Sequence, residues 1–225
     1  MNAYSDSRDP AHGQKLAHQS SPDLKTWGSV IDDAAEANYT KRPGMTTIAK
    51  MGNGKYIFTY EIGFSDDGLP GVNPYATHYR ISSDPEKFDS AEQHLLKSSD
   101  GIISSSGPYV VWTPIGPTGK GTVVVSDSHF SHVYFNTEYG DPNAWVTVPI
   151  NHGVGYTRSL TVLPDESKLL LVNGGQFAVN ISSVTAGTID VPGTYAPGFG
   201  PRGHGRDSLS SCNGRGFWNN WGGKW

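Results

Sequence analysis

The feature that most constrains the fold is a short element that occurs three times at nearly constant spacing. An aspartate stands four residues before an aromatic residue in S-P-D-L-K-T-W (21–27), S-S-D-P-E-K-F (82–88) and G-D-P-N-A-W (140–145). The three aromatic residues therefore follow one another after 61 and then 57 residues. A period of about 50–60 residues indicates an array of similar supersecondary units.

Short strands are predicted in the same order around each copy of this element. A strand with alternating side chains precedes each aspartate, and two strands joined by a tight turn follow each aromatic residue. Gly, Pro, Asn and Asp at the turns are the residues that hairpins require. The predicted strands are 14–18, 46–51 and 56–60; 77–81, 109–113 and 121–125; and 132–136, 159–163 and 169–172. Antiparallel units at this period are typical of β-propeller blades, so we predict an all-β fold with three four-stranded blades.

The residues of the repeated element are predicted to be structural rather than catalytic. Each aspartate carboxylate can accept hydrogen bonds from backbone N–H groups of its own turn, which fixes the loop. The aromatic side chain four residues later is expected to pack between strands of the blades. These residues are Asp23 and Trp27, Asp84 and Phe88, and Asp141 and Trp145.

Composition argues against several other classes of protein. The net charge of −4 and the lack of a basic run give no electrostatic footprint for nucleic acid. No Cys/His ligand spacing or nucleotide-binding glycine pattern occurs, so we expect neither a metal nor another cofactor. No stretch approaches the roughly 18 consecutive apolar residues of a membrane span, and residues 1–13 are too polar for a secretory signal.

Several longer strings narrow the fold to one family. They are D-P-A-H-G-Q-K-L-A-H-Q (9–19), S-P-D-L-K-T-W-G (21–28), the run from R-P-G-M to T-Y-E (42–61), Y-R-I-S-S-D-P-E-K-F-D-S-A (79–91), P-Y-V-V-W (108–112) and Y-T-R-S-L (156–160). Together they resemble fungal glycoside hydrolase family 93, and the repeated element resembles a degenerate Asp-box (BNR repeat). The resemblance implies a secreted, six-bladed, sialidase-like propeller that acts as a retaining exo-1,5-α-L-arabinanase. It also implies a monomer that releases arabinobiose from linear arabinan without a metal.

The domain organisation departs from that family. Three repeats account for about half of a six-bladed ring, so we expect only about three to four blades, as in a truncated chain. We assign 1–186 to a partial propeller, with repeats around 27, 88 and 145, and 187–225 to an irregular tail rich in Gly and Pro. Two alternatives to an arabinan-active enzyme stay open: a non-catalytic sugar-binding propeller, and an inactive fragment.

Two glutamates are candidates for the pair of carboxyl groups that glycoside hydrolysis needs. Glu61 closes the strand I-F-T-Y, and the family resemblance places a catalytic carboxylate in this T-Y-E segment, which favours the role of nucleophile. Glu138, in F-N-T-E-Y-G-D, is the candidate general acid/base from the next blade. The sequence leaves open that either is a solvated surface residue.

Four further residues are candidates for substrate contacts. Arg42 and Arg158 open the first strands of two blades and could hold sugar hydroxyls or orient a carboxylate, although each could equally pair with a structural acid. Tyr60 and Trp112 could stack on a pentose ring, although aromatic residues at strand positions are more often part of the core.

Overall fold

The computed structural model describes residues 2–6, 14–36, 41–64, 75–128, 132–150, 157–164, 168–174 and 184–190. For residues 2–6, 157–158, 173–174 and 184–190 it describes the backbone alone. All regular elements within these ranges are β-strands, in agreement with the all-β prediction.

The described strands form four antiparallel sheets that follow one another along the chain. Sheet I contains β1 (Asn2–Asp6), β2 (Lys15–Gln19) and β3 (Ile31–Ala35); sheet II contains β4 (Arg42–Lys50), β5 (Tyr56–Gly63), β6 (Ala76–Ser82) and β7 (His94–Leu95). Sheet III contains β8 (Tyr109–Thr113), β9 (Thr122–Ser126), β10 (His132–Asn136) and β11 (Trp145–Pro149); sheet IV contains β12 (Thr157–Val162), β13 (Lys168–Gly174) and β14 (Val184–Asp190). Within each sheet, neighbours in sequence are neighbours in space.

The sheets pack face to face, with an apolar layer between each consecutive pair. Phe58, Phe88 and Leu16 belong to the layer between sheets I and II, and Tyr79 and Trp145 to the layer between sheets II and III. A third layer joins sheets III and IV. The first strands β4 and β8 contact each other, as do β8 and β12. This is the arrangement of propeller blades, and the four sheets form an open arc, which confirms the prediction of a partial propeller.

The two ends of the sheets have different characters. At one end, here called the Asp-turn end, lie the turns at Asp23, Asp84 and Asp141, which join the third to the fourth strand in sheets II and III. At the other, the crossover end, the chain passes from the last strand of one sheet to the first strand of the next. In sheet I the turn at Asp23 joins β2 to β3, so these two strands correspond to the third and fourth strands of sheet II.

The Asp turns are built on side-chain to backbone hydrogen bonds. Asp23 Oδ1 accepts from the N–H groups of Lys25 at 2.8 Å and Thr26 at 2.7 Å. Asp84 and Asp141 each accept from the N–H two residues further on, at 3.0 and 2.8 Å. These donors stabilise the ionised carboxylate, so the N–H groups of Thr26 and Lys25 lower the pKa of Asp23.

The aromatic residues of the repeated element are not equivalent in burial. Phe88 and Trp145 are fully buried, and Trp145 Nε1 donates to Tyr79 Oη of sheet II at 3.1 Å. Trp27 is 41% exposed, so the prediction that all three occupy equivalent buried positions is wrong. Phe88 and Trp145 each pack against the preceding sheet, whereas no described sheet precedes sheet I.

The strand count also differs from the prediction of three four-stranded blades. Two of the described sheets have four strands and two have three. Strands β3, β7 and β11, which follow the Asp turns, were not predicted; β7 has only two residues, His94 and Leu95. Strand β14 extends to Asp190, past the predicted domain boundary at 186/187, and residues 191–225 lie outside the described residues.

Candidate functional site

Glu61 lies at the crossover end of sheet II and faces sheet III. Side chains alternate along a strand, so Ile57, Thr59 and Glu61 share one face of β5, and Ile57 belongs to the layer shared with sheet III. The Glu61 side chain is buried, and its Oε2 accepts the backbone N–H of Gly107 at 2.7 Å. Glu61 is therefore a carboxylate held at the junction of two blades.

The segment that holds Glu61 is the end of the crossover from sheet II to sheet III. Ser106 and Gly107 both have left-handed backbone angles, with φ of 67° and 52°. Their neighbourhood is tied to Tyr75, whose carbonyl accepts from Ser106 N–H at 2.8 Å and from Ser105 Oγ at 3.0 Å. A non-glycine residue such as Ser106 adopts this conformation only where its surroundings enforce it.

A second buried carboxylate, which sequence reasoning missed, faces the same segment from sheet III. Asp127 follows the last residue of β9 and is fully buried, and its Oδ2 accepts the N–H of Ser105 at 3.1 Å. Burial raises the pKa of Tyr134, and the nearby charge of Asp127 adds to that rise. One signal could have found Asp127: like Glu61, it closes the second strand of its blade.

The two carboxylates lie within a bounded distance of each other. Ser105 N and Gly107 N are two residues apart, which is at most about 7 Å along an extended chain. Adding the two hydrogen bonds of 2.7 and 3.1 Å places Glu61 Oε2 and Asp127 Oδ2 no more than about 13 Å apart. The crossover end therefore brings together one acid from each of two neighbouring blades.

The structure does not bring Glu138 to this site. Glu138 follows the third strand, β10, whereas Glu61 closes a second strand, and consecutive antiparallel strands run in opposite directions. Glu138 therefore lies at the Asp-turn end, where its carboxylate pairs with Lys120 and its N–H donates to Asn136 Oδ1 at 2.9 Å. A five-residue strand spans about 17 Å, so the predicted Glu61–Glu138 pair cannot flank one bond.

Arg42 lies at the same end of sheet II as Glu61. In the β4–β5 ladder, Arg42 is opposite Gly63, and Gly44 is opposite Glu61, so the two charged residues belong to one face of the sheet. The exposed Arg42 guanidinium donates from Nη2 to Tyr75 Oη at 3.3 Å, and its Cζ lies 5.6 Å from the centre of the Tyr75 ring.

The geometry does not support Tyr60 or Trp112 as substrate contacts beside Glu61. Tyr60 is fully buried and its hydroxyl is held by Gln93 and Arg80, at 2.7 and 3.0 Å, so its ring cannot meet a sugar. Burial raises the pKa of Tyr60 to about 12. Trp112 is half-buried against the β4–β5 hairpin at the Asp-turn end. Arg158 is in β12, and its side chain lies outside the described residues.

An open groove of about 470 Å³ runs between the first strands of sheets II, III and IV. Its lining comprises 47–50, 109–112 and Val162 and includes no carboxylate. The carboxylates of Glu61 and Asp127 therefore lie outside this groove. Among the described residues, no group of three or more His, Cys, Asp or Glu side chains is arranged to hold a metal ion. In the same part of the chain, no helix is long and apolar enough to cross a membrane.

Comparison with solved structures shows which proteins this chain is similar to. It superposes with a TM-score of 0.77 and 38% identity on a GH93 α-L-arabinofuranosidase of Fusarium graminearum in complex with arabinobiose. With a TM-score of 0.75 and 37% identity it also matches a Penicillium chrysogenum α-L-arabinanase complexed with arabinobiose. A glutamate-to-alanine mutant of the Fusarium enzyme, bound to an iminosugar inhibitor, matches equally well.

These matches cover most of this chain but only about half of each protein that it matches. They cover 84% of this chain but 54% of the Fusarium chain and 53% of the Penicillium chain, so this chain spans about half the length of those proteins. No protein-family model matches the chain, and no curated protein does. The four consecutive blades, the level of identity and the strings around Glu61 and Asp84 agree with one another. Over the part that it covers, the chain is therefore similar in sequence and fold to glycoside hydrolase family 93 enzymes, as its sequence strings indicated.

Proposed function

We propose that this chain is part of a glycoside hydrolase that acts on linear 1,5-α-L-arabinan. The observation that carries the proposal is the 38% identity, over 84% of the chain, to a GH93 enzyme in complex with arabinobiose. The substrate of the proposed enzyme is a neutral polysaccharide of arabinofuranose units. Because such a polymer does not enter cells readily, the proposal includes an extracellular place of action, and we retain the expectation of a monomer.

The proposed chemistry uses Glu61 as the nucleophile of a retaining mechanism. Glu61 lies at the crossover end, beside the exposed Arg42, and an N–H donor already orients one of its oxygens. A retaining enzyme has its two carboxyl groups about 5–5.5 Å apart, and an inverting one about 6.5–9.5 Å. Asp127, held within about 13 Å of Glu61 by the same crossover segment, takes the place of Glu138 as the second carboxyl group in this scheme.

The test compares two glutamate-to-glutamine variants of the chain. Glu61→Gln keeps the shape of the side chain but removes the nucleophilic oxygen, so release of arabinobiose from linear arabinan should fall by at least about 10³-fold. Glu138→Gln is the matched control, because Glu138 lies at the Asp-turn end, and its activity should remain within about twofold of wild type. Product release is measured by chromatography, and product configuration by NMR.

The outcomes separate the roles. Equal losses of arabinan hydrolysis in both variants would support the Glu61–Glu138 pair that the sequence predicted. Full activity of Glu61→Gln would show that Glu61 is not the nucleophile. A second candidate function is binding of arabino-oligosaccharides without hydrolysis, which is favoured by the open arc of four sheets. A wild-type chain that binds arabinobiose but releases nothing from arabinan would support that second function.

A further inference from the structure

Phe64 is an aromatic residue that the fold holds out to solvent. It follows the last residue of β5, three positions after Glu61, and it is 58% exposed. Its backbone is left-handed, with φ of 60°, a conformation that costs free energy for any residue other than glycine. Neither the exposure nor the backbone angle stabilises the fold. Features of this kind are found at binding sites more often than in structural loops.

Phe64 is one part of a small cluster that also contains Tyr75 and Arg42. The rings of Phe64 and Tyr75 have centroids 5.8 Å apart at an angle of 46°. Tyr75 also meets the Arg42 guanidinium, which lies over the ring and donates to the hydroxyl. We call Phe64, Tyr75 and Arg42 the aromatic rim.

Gly63 is the residue that permits this arrangement. A Cβ atom at position 63 would come within 2.7 Å of Tyr75 Cε1, closer than real Cβ contacts allow. Tyr75 can therefore lie against the end of β5 only because residue 63 has no side chain. The sequence E-I-G-F thus places an acid, a close-packing glycine and an exposed aromatic residue in succession.

The rim lies at the same end of sheet II as Glu61, and Arg42 shares one face of that sheet with Glu61. Arg42 is paired with Gly63 across the β4–β5 ladder. Glu61 lies two residues before Gly63 on β5, which separates the Cα atoms of Glu61 and Gly63 by about 7 Å. Glu61 supplies the acid, the rim supplies aromatic rings, and Arg42 supplies N–H donors. A site with apolar rings and a few directed polar groups suits the faces and hydroxyl edges of a sugar.

We propose that the aromatic rim is a sugar-binding platform, in which Phe64 stacks on the apolar face of a furanose ring while Arg42 donates to its hydroxyls. The ligand is a neutral arabinofuranose oligosaccharide, and this choice of sugar rests on the proposed function. The platform holds the sugar unit next to the one that faces Glu61. Because Phe64 does not touch the reacting atoms, it contributes to binding and not to the chemical step.

The test measures binding to the 225-residue chain by NMR titration with three probes: arabinobiose, xylobiose and cellobiose. Phe64→Ala should weaken arabinobiose binding by at least about tenfold, and Phe64→Tyr should restore it to within about threefold. Leu24→Ala is a closely matched control, since Leu24 is also exposed, at 76%, and left-handed, with φ of 60°, but lies in the Asp23 turn at the opposite end. Its affinity should equal that of wild type.

Each outcome decides one proposal. If wild type and Phe64→Ala bind arabinobiose equally, the platform is refuted while the proposed function stands. If wild type binds xylobiose or cellobiose but not arabinobiose, and Phe64→Ala loses that binding, the platform stands and the arabinan assignment falls. If wild type binds none of the three disaccharides, both are refuted for this chain.

Discussion

Replacing Asp127 with alanine should loosen the crossover that holds Glu61. The substitution removes the acceptor of the Ser105 N–H, and Ser105 is only 3% exposed, so water cannot take its place. A buried N–H left without an acceptor costs about 1–3 kcal/mol, and the free energy of unfolding should fall by that amount. Asp127→Asn keeps an acceptor oxygen and should cost about 1 kcal/mol or less. Chemical denaturation with urea measures both values.

The same variant should also change the site locally, which separates a positioning role from a general loss of stability. Ser105 and Gly107 belong to one short segment, so losing the anchor at Ser105 should raise the exchange rate of the Gly107 amide that Glu61 accepts. Asp100→Ala is the control, because Asp100 lies in the same crossover but is exposed. Its carboxylate accepts a hydrogen bond from the Thr147 hydroxyl at 2.8 Å. Unchanged unfolding and unchanged Gly107 exchange in Asp127→Ala would refute the reasoning.

Two other predictions test the packing of the blades. Phe88→Ala should lower the free energy of unfolding by about 3–5 kcal/mol, because Phe88 is fully buried between sheets I and II. Trp27→Ala, at a position that is 41% exposed, should lower it by about 1 kcal/mol or less. Equal losses of stability in the two variants would contradict the difference in burial. The second concerns Asp33, whose carboxylate meets His18 Nδ1 at 2.7 Å and whose pKa burial raises to about 6. Because the folded protein then binds this proton more tightly than the unfolded chain does, the contribution of Asp33 to stability falls as pH rises from about 4 to 6, and Asp33→Asn should remove that part of the pH dependence. Identical pH–stability curves for Asp33→Asn and wild type would count against it.

The strands predicted from sequence were those with a local signal. The strand predicted before each Asp turn carries alternating side chains, and the first and second strands of a blade flank a Gly-, Pro- or Asn-containing turn, so these features are written in consecutive residues. The outer strands have no such pattern: β3 reads I-D-D-A-A and β7 is the dipeptide His94-Leu95. Outer strands form because the strand beside them offers a row of free hydrogen-bonding groups, which local sequence does not reveal.

The site was harder to predict than the fold because it depends on strand direction. Glu61 and Glu138 both stand near the end of a strand, and the sequence alone makes them look equivalent. One extra reversal of the chain sends Glu138 to the Asp-turn end, whereas Asp127, which closes a second strand as Glu61 does, lies at the crossover end. The prediction that Trp27 is buried was wrong for a related reason, because burial at this position depends on a neighbouring sheet that is not among the described residues.

The left-handed residues show why the crossover end is the better candidate for function. At the Asp-turn end, Leu24 and Tyr139 have positive φ, but hydrogen bonds from their own turns account for them: Asp23 accepts from the two residues after Leu24, and Asn136 Oδ1 accepts from the residues on either side of Tyr139. At the crossover end, Ser106 turns the segment that presents the Gly107 N–H to Glu61, and Phe64 displays an exposed ring. Strain that a local turn explains serves the fold, whereas strain that presents a donor or a ring near a carboxylate is what the proposed sugar site accounts for.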